Sequence, residues 1–494
     1  MSHIFTYSDQ QIAIFDEIVR PTAPIVLIKA VAGAAKTSSL TEAIRRFKSI
    51  FPTASVRYII FGTLAADEAK REFGRNAIVS TLHSFAYAHT VKQYSLGEVR
   101  PFLTWRDLPK SIKRPFGSDY ELIQMIESYC LSDYTSVDAY AQANQETEGF
   151  KHSYLPILKQ LLNQMASGAM PITHSFYLKL FHIFVMDGTI QLPSSDRLLV
   201  DEFQDMSGMA LDIINAIPAE QKIFVGDSNQ SIFEFLNLKD GFKFYPDAKV
   251  LPLSKSFRVD NSYAPAIQNY LRTYLDSDAV FEGMDYPSNQ TIRTKAYLVR
   301  NNNTLISKMI EFNQSNTPYH LSNQTKLNQI FKLPLALIYA KPAFDQKDYE
   351  LKHLQHDIDD YGSLSAKKRE SMSLFSYLLE VNKEDKKLKS AIQLVVKHTP
   401  QKIIEAFNKA KEHQLRVASL WLMTAHTSKG STFDEVELDD DLNDSINEAI
   451  EAYSSNASSA ITAELCLGFV SITRHRHVLK NCKFLTKDPN DYTL

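Results

Sequence analysis

Short apolar runs recur along the chain at Ile25–Ile28, Tyr58–Phe61, Leu198–Val200, Ile223–Val225, Ala296–Val299 and Leu420–Met423. Each has the length of a strand buried on both faces rather than that of a helix. The stretches between them carry helical periodicity. Strands alternating with helices predict parallel sheets with crossover helices, an α/β fold. Two stretches break the alternation. Residues of about 90–190 read mostly as helices, as in Tyr120–Cys130 and Tyr154–Met165. Residues of about 336–415 are helical and rich in Lys, Glu and Asp, as in Lys383–Lys397 and Lys402–Lys411. Both are expected to be helical insertions into sheet domains. The stretch Asp439–Ser459, acidic and then rich in Ser, Asn and Ala, is expected to be a solvated loop or an exposed helix.

Composition narrows the class. The 494 residues are 44% hydrophobic and 22% charged, which excludes wholesale disorder. The length suits about three or four structural units. No apolar run approaches the ~18 residues that span a bilayer, and the polar stretch Met1–Gln11 is unlike a secretory signal. A cytoplasmic, intracellular and reducing setting, nuclear if the source is eukaryotic, with no membrane partner, is expected. Cys130, Cys466 and Cys482 form no CxxC pair, so neither a disulfide framework nor a zinc site is expected. A formal net charge of −3 excludes a polybasic coat but leaves room for a narrow basic groove.

Ile25–Ile28 is followed by Lys29-Ala30-Val31-Ala32-Gly33-Ala34-Ala35-Lys36-Thr37 and then by a helical pattern. Strand, small-residue loop, Lys-Thr and helix form the context of a phosphate-binding loop. Backbone N–H groups and a helix N-terminus can wrap a phosphate there. Gly33, Ala34, Ala35, Lys36, Thr37 and Ser38 are the candidate nucleotide-binding residues, with Lys36 on the β/γ-phosphates and Thr37 on Mg²⁺. Ala30 and Ala35 stand where the pattern has glycine, and alanine at 35 disfavours a positive φ. An alanine-rich strand–helix turn with a chance lysine fits the same residues.

Leu198–Val200 ends in Asp201-Glu202-Phe203-Gln204-Asp205. Carboxylates at the C-terminal end of a strand face the crevice where α/β sheets take ligands. Asp201 suits Mg²⁺ and Glu202 suits orienting and deprotonating a water; a surface acidic turn is the plainer reading. Ile223–Val225 runs into Gly226-Asp227-Ser228-Asn229-Gln230, where Gln230 is placed to sense a γ-phosphate.

Taken in order, these segments resemble the motifs of superfamily 1A DNA helicases of the UvrD/Rep/PcrA type, and most closely the branch containing the F-box DNA helicase, without a recognisable F-box. The resemblance runs from about Thr6 to Leu479. Thr6-Tyr7-Ser8-Asp9-Gln10 is similar to the adenine-reading Q motif, with Gln10 as the base contact and Gln11 as the other choice. Phe61 to Phe73 is similar to motif Ia, Thr81-Leu82-His83-Ser84-Phe85 to Ib, Asp201 to Asp205 to II, and Gly226 to Phe235 to III. Ser256-Phe257-Arg258 is similar to motif IV, Thr424 to Gly430 to V, and Phe469 to Arg474 to VI.

The resemblance implies two RecA-like parallel-sheet domains that close on ATP and Mg²⁺. The first would carry Lys36, Asp201, Glu202 and Gln230; the second would supply Arg258 and Arg474 to the γ-phosphate. Arginine suits that task because it is always charged and offers a fork of donors. It implies single-stranded DNA crossing both domains, with Phe61, Phe233 and Phe235 stacking on bases and Thr81, His83, His426 and Lys429 touching the backbone. Outside that context the arginines read as surface ion pairs, the phenylalanines as core and the histidines as structural. Departures include Thr432 at the position of a ribose-binding carboxylate, Leu236-Asn237 in place of an Arg-Gly pair, and His475-Arg476-His477 after motif VI.

The expected domains are 1A (residues 1–89 and 191–250), helical 1B (90–190), 2A (251–335 and 416–494) and a reduced helical 2B (336–415). The expected activity is an ATP-dependent, 3′→5′ DNA helicase acting on single-stranded and tailed duplex DNA, with a nuclease or a replication or repair factor as a protein partner. An ATP-binding nucleic-acid scaffold or sensor with weak hydrolysis is the alternative. A P-loop NTPase acting on small molecules is a third reading.

Overall fold

In the computed structural model the chain divides into two compact units, Met1–Ser254 and Lys255–Leu494. The structure describes residues 7–94, 96–115, 118–147, 150–232, 238–287, 289–322, 325–339, 349–383, 385–453 and 458–485.

The first unit contains β1 (Ile25–Ala30), β2 (Val56–Ile60), β3 (Ile78–Thr81), β4 (Val99–Arg100), β5 (Ile172–Thr173), β6 (Ser195–Val200), β7 (Ala219–Gly226) and β8 (Lys249–Leu253). Six of these form one parallel sheet in the order β3-β2-β6-β7-β1-β8, while β4 and β5 pair separately. Side chains alternate across a strand, and here both faces are buried. Val26, Ile28, Tyr58, Ile60, Leu199, Ile223 and Val225 pack on one face against α1 (Asp9–Val19), α2 (Lys36–Ile50) and α3 (Thr63–Phe73). Leu27, Ile59, Leu198, Val200 and Phe224 pack on the other face in the core that the helical insertion shares. This double burial is why these strands read as continuous apolar runs. The insertion helices are Asp119–Leu131, Val137–Ala143, Leu155–Ala166 and His174–Met186. Lys249–Leu253 completes the first sheet beside β1, within the unit that runs to Ser254.

The second unit contains β9 (Lys255–Asp260), β10 (Glu282–Met284), β11 (Lys295–Val299), β12 (His320–Leu321), β13 (Leu420–Thr424), β14 (Phe433–Leu438) and β15 (His475–Lys480). Five form a parallel sheet in the order β12-β13-β11-β14-β15, and β9 pairs in parallel with β10. Its own helical insertion, including Lys386–Lys397 and Pro400–Leu415, closes a core around Leu378, Ile392, Ile403 and Ala406. Of the two expectations for the acidic stretch, the helix is the one that forms, over Asp440–Tyr453, but it buries Leu442, Ile446 and Ala449 on one side rather than lying fully exposed. Its acids Asp440 and Asp441 fall in the first turn, where they complement the helix dipole. Among the described residues no helix is long and apolar enough to cross a membrane. The α/β architecture read from the alternation of runs is thus the one the chain adopts, with a parallel sheet in each unit.

Candidate functional site

The C-terminal ends of β1, β2, β6 and β7 share one edge of the first sheet, the edge where α/β sheets take ligands. After β1, the Val31 N–H donates to the Leu253 carbonyl at 2.9 Å, and the Ala34 N–H returns to the Val31 carbonyl at 3.1 Å. Gly33 and Ala35 have φ of 75° and 55°. The loop therefore adopts a left-handed turn even where alanine stands in for glycine, at a cost of roughly 1–2 kcal/mol. Ala35 gives α2 no side-chain cap, so the leading N–H groups of this 15-residue helix present its positive end. Ala34 is buried, Thr37 is half-buried and Ser38 is exposed. It is Ser39 that braces the turn, donating to the Ala35 carbonyl and accepting from Gln11 Nε2, both at 2.9 Å.

Lys36 Nζ lies 3.1 Å from Glu202 Oε1 and 3.9 Å from Asp201 Oδ1. Burial opposes its charge, but Glu202, Asp201 and Asp227 outweigh burial and hold the ammonium well above its ordinary pKa. Asp201 is 3% exposed. Its Oδ1 accepts from the Glu202 N–H at 2.9 Å and its Oδ2 from the Tyr58 hydroxyl at 2.5 Å. Burial raises its pKa, with Lys36 and Tyr58 opposing. Tyr58 is fully buried, and the Thr37 side chain lies beside the same phenol. Glu202 has a φ of 51°, a second non-glycine residue in the left-handed region, at the point where the chain leaves β6.

A buried amide ties Glu202 to the end of β7. Gln204 Nε2 donates to Glu202 Oε2 at 2.5 Å, and Gln204 Oε1 accepts from the Asp227 N–H at 3.0 Å. Asp227 in turn accepts from Gln230 Nε2 at 2.6 Å and from the Asn229 N–H at 3.1 Å. Burial pushes the Asp227 carboxyl up to about 6, against the pull of Gln230 and Lys36. Gly226 makes room for this linkage: a Cβ there would lie 2.1 Å from Gln204 Oε1.

Gln10 exchanges two hydrogen bonds with Ser254, its Nε2 reaching the hydroxyl at 3.2 Å and its Oε1 accepting from the N–H at 2.8 Å. Gln11 is buried and completes the N-cap of α1 with Ser8. Phe61 follows β2 and packs half-buried on the insertion core. Thr81 caps α4 (Leu82–His89) by accepting from the Ser84 N–H at 3.0 Å. The exposed His83 stands edge-on to His174 and Tyr177, with ring centroids 6.2 and 5.8 Å away. Phe233 and Phe235 lie outside the described residues.

In the second unit the two arginines meet on one residue. Arg258 Nη1 donates to the Thr473 carbonyl at 3.2 Å, and Arg474 Nη2 to the Thr473 hydroxyl at 3.1 Å. Arg474 is 1% exposed, with its Nε on the Val470 carbonyl at 2.8 Å. His426 and Lys429 sit half-buried in the turn after β13, which Gly430 closes with a φ of 84°. Burial, then Arg300, drops the His426 pKa to about 4, so the ring is neutral near pH 7.

The structure thus brings Lys36, Thr37, Asp201, Glu202 and Gln230 into one cluster and Arg258 with Arg474 into another. Sequence reasoning gave Tyr58 no role beyond its strand, and left Gln204, Asp227 and Thr473, each inside a recognised motif, without a role of its own. The donor set at Thr37 and Asp201, a hydroxyl and a buried carboxylate, suits a hard divalent cation such as Mg²⁺. A family profile described as an AAA domain matches residues 10–236. The chain is also 24% identical over 271 residues to the F-box DNA helicase protein 1 of Schizosaccharomyces pombe, a match covering 49% of this chain and 30% of that protein. It spans less than a third of the length of that curated relative.

Proposed function

Starting from a chain related to the superfamily 1 DNA helicases, we propose that it is a DNA-dependent ATPase that moves 3′→5′ on single-stranded DNA and separates tailed duplexes. The observation that carries the reading is the Lys36–Asp201–Glu202 cluster beneath an uncapped helix N-terminus. A triphosphate seated on the loop of Gly33 to Ser38 draws Lys36 from Glu202 to the β/γ-phosphates. Glu202 is then free to orient and deprotonate a water, held in place by Gln204. Thr37 and Asp201 would hold Mg²⁺, which supplies neutralisation of the phosphate charge when bound. Gln230 reports the γ-phosphate, and Arg258 and Arg474 stabilise the charge that develops on it. Gln10 reads the base. Phe61, Phe233 and Phe235 stack on DNA, while Thr81, His83, His426 and Lys429 meet its backbone. A nuclease or a replication or repair factor is the protein partner this role would call for.

The test is ATP hydrolysis with and without single-stranded DNA, beside strand displacement from a 3′-tailed duplex. DNA should raise turnover several-fold, and Lys36→Ala or Glu202→Gln should abolish it. Unchanged turnover in Lys36→Ala would mean that the site is misassigned. The left-handed Ala35 favours a second reading, an ATP-binding nucleic-acid scaffold that hydrolyses slowly. Binding of ATP and DNA without strand displacement would select it.

A further inference from the structure

Within the first insertion, residues 99–115 form no α-helix. They run as β4, an extended stretch and a single turn at Trp105–Asp107. Their apolar side chains divide into two sets. Leu103, Leu108 and Ile112 are buried in the insertion core. Phe102 and Trp105 are 70% and 47% exposed. Two large rings in water beside a core that accepted their neighbours call for an occupant.

The cations divide in the same way. Arg100 is ion-paired with Glu98 and Asp107. Arg114 donates to Asp119 and to the Pro109 carbonyl, both at 2.7 Å. Asp107 also accepts from the N–H and the hydroxyl of Thr104, both at 2.7 Å. These groups build the segment and fix its shape. Arg106, Lys110 and Lys113 are exposed and make no ion pair with any described residue. The Arg106 guanidinium lies over the Trp105 ring, 5.4 Å from its centroid.

We propose that this face is a second binding site for single-stranded nucleic acid, separate from Phe61, Thr81 and His83. Phe102 and Trp105 offer π-faces to unpaired bases, and Arg106, Lys110 and Lys113 neutralise the phosphates between them. The side chain of the one acid inside the segment, Asp107, is buried and spent on Arg100 and Thr104, so the exposed charges between Pro101 and Lys113 are all cationic. Anchoring by Leu103, Leu108 and Ile112 presents the rings already ordered, which lowers the entropic cost of binding. Single strands fit better than duplex because the bases of a duplex already stack on one another. The inference rests on the reading that this chain works on DNA.

The chain has two tryptophans, so Trp421→Phe leaves Trp105 as the sole indole reporter. Oligothymidylate should quench its emission in parallel with binding followed by anisotropy of a labelled strand. Phe102→Ala/Trp105→Ala should weaken that binding at least about tenfold. Lys110→Gln/Lys113→Gln should flatten the slope of log affinity against log salt by about 1.4, from ~0.7 for each single-strand phosphate that a lysine no longer neutralises. All four side chains are exposed, and matching circular dichroism melts confirm folding. Binding of oligothymidylate without quenching, at an affinity neither double variant alters, overturns this site while the DNA reading stands. Absence of any oligothymidylate binding sinks both. An emission change seen only with anionic lipid vesicles, or only with a blunt hairpin duplex, also overturns it.

Discussion

The Tyr58 hydroxyl donates to Oδ2 of Asp201 at 2.5 Å, across 143 positions of sequence. The register explains the meeting. Tyr58 is the lateral partner of Leu199, and Asp201 stands two residues further on the same face. The phenol's dipole is therefore fixed against a carboxylate that burial would otherwise push toward its neutral form. Tyr58→Phe keeps the ring packed on Phe73, 4.7 Å between centroids, and removes only the donor. We expect a stability loss of about 1–3 kcal/mol and a fall in ATP turnover of roughly tenfold. Urea unfolding and steady-state ATPase assays check both, and wild-type turnover would show that Asp201 needs no such brace.

Ala35 stands at a φ of 55°. Glycine there removes the Cβ penalty, so Ala35→Gly should stabilise the first unit by about 1 kcal/mol despite the extra freedom of the unfolded chain. Nucleotide affinity should rise with it. Thermal shift with and without ATP measures both effects, and a destabilised variant would contradict the backbone geometry.

At Gly226 an added methyl would meet Gln204 Oε1 at 2.1 Å and the Phe203 backbone nitrogen at 3.0 Å. The amide can swing away but the backbone cannot. Gly226→Ala should cost about 1–3 kcal/mol and cut hydrolysis by releasing Glu202. Adding Gln204→Ala should recover part of the stability but none of the activity. Chemical denaturation of the single and double variants separates the two effects.

The Asp227 carboxyl titrates at about 6 in the folded chain, against an ordinary value of 3.8. Between those values the folded chain holds a proton that the unfolded chain has released. Its contribution therefore favours folding at low pH and is lost as pH rises through about 6. Asp227→Asn removes this dependence, so the variant should gain on wild type by on the order of 3 kcal/mol between pH 4 and pH 7. Urea midpoints measured across that range supply the comparison, and parallel curves would place the titration elsewhere.

Six apolar runs were legible as strands because both sheet faces are covered, leaving few polar positions within them. Edge strands were not. Ile78–Thr81, His320–Leu321 and His475–Lys480 sit at sheet margins and keep polar or exposed residues. Phe433–Leu438 is internal, yet its acids hid it. Asp434 Oδ2 is buried by accepting from the Arg293 and Thr294 N–H groups, each at 2.9 Å. The phosphate loop was legible from the order strand, small residues, Lys-Thr and helix, although alanine at 35 argued against the turn it makes. Tyr58 gave no signal because an aromatic in a strand reads as core. Gln204 was legible only as part of the acidic motif, because its role lies in bridging two strand ends whose adjacency only the fold creates.

Thr473 receives Arg258 on its carbonyl and Arg474 on its hydroxyl. A displacement of that one threonine drags both guanidiniums along, so the pair is yoked. Two positive charges moving as a block make an intermediate with a single charge engaged hard to populate. Whatever the arginines act upon meets a toggle rather than a dial.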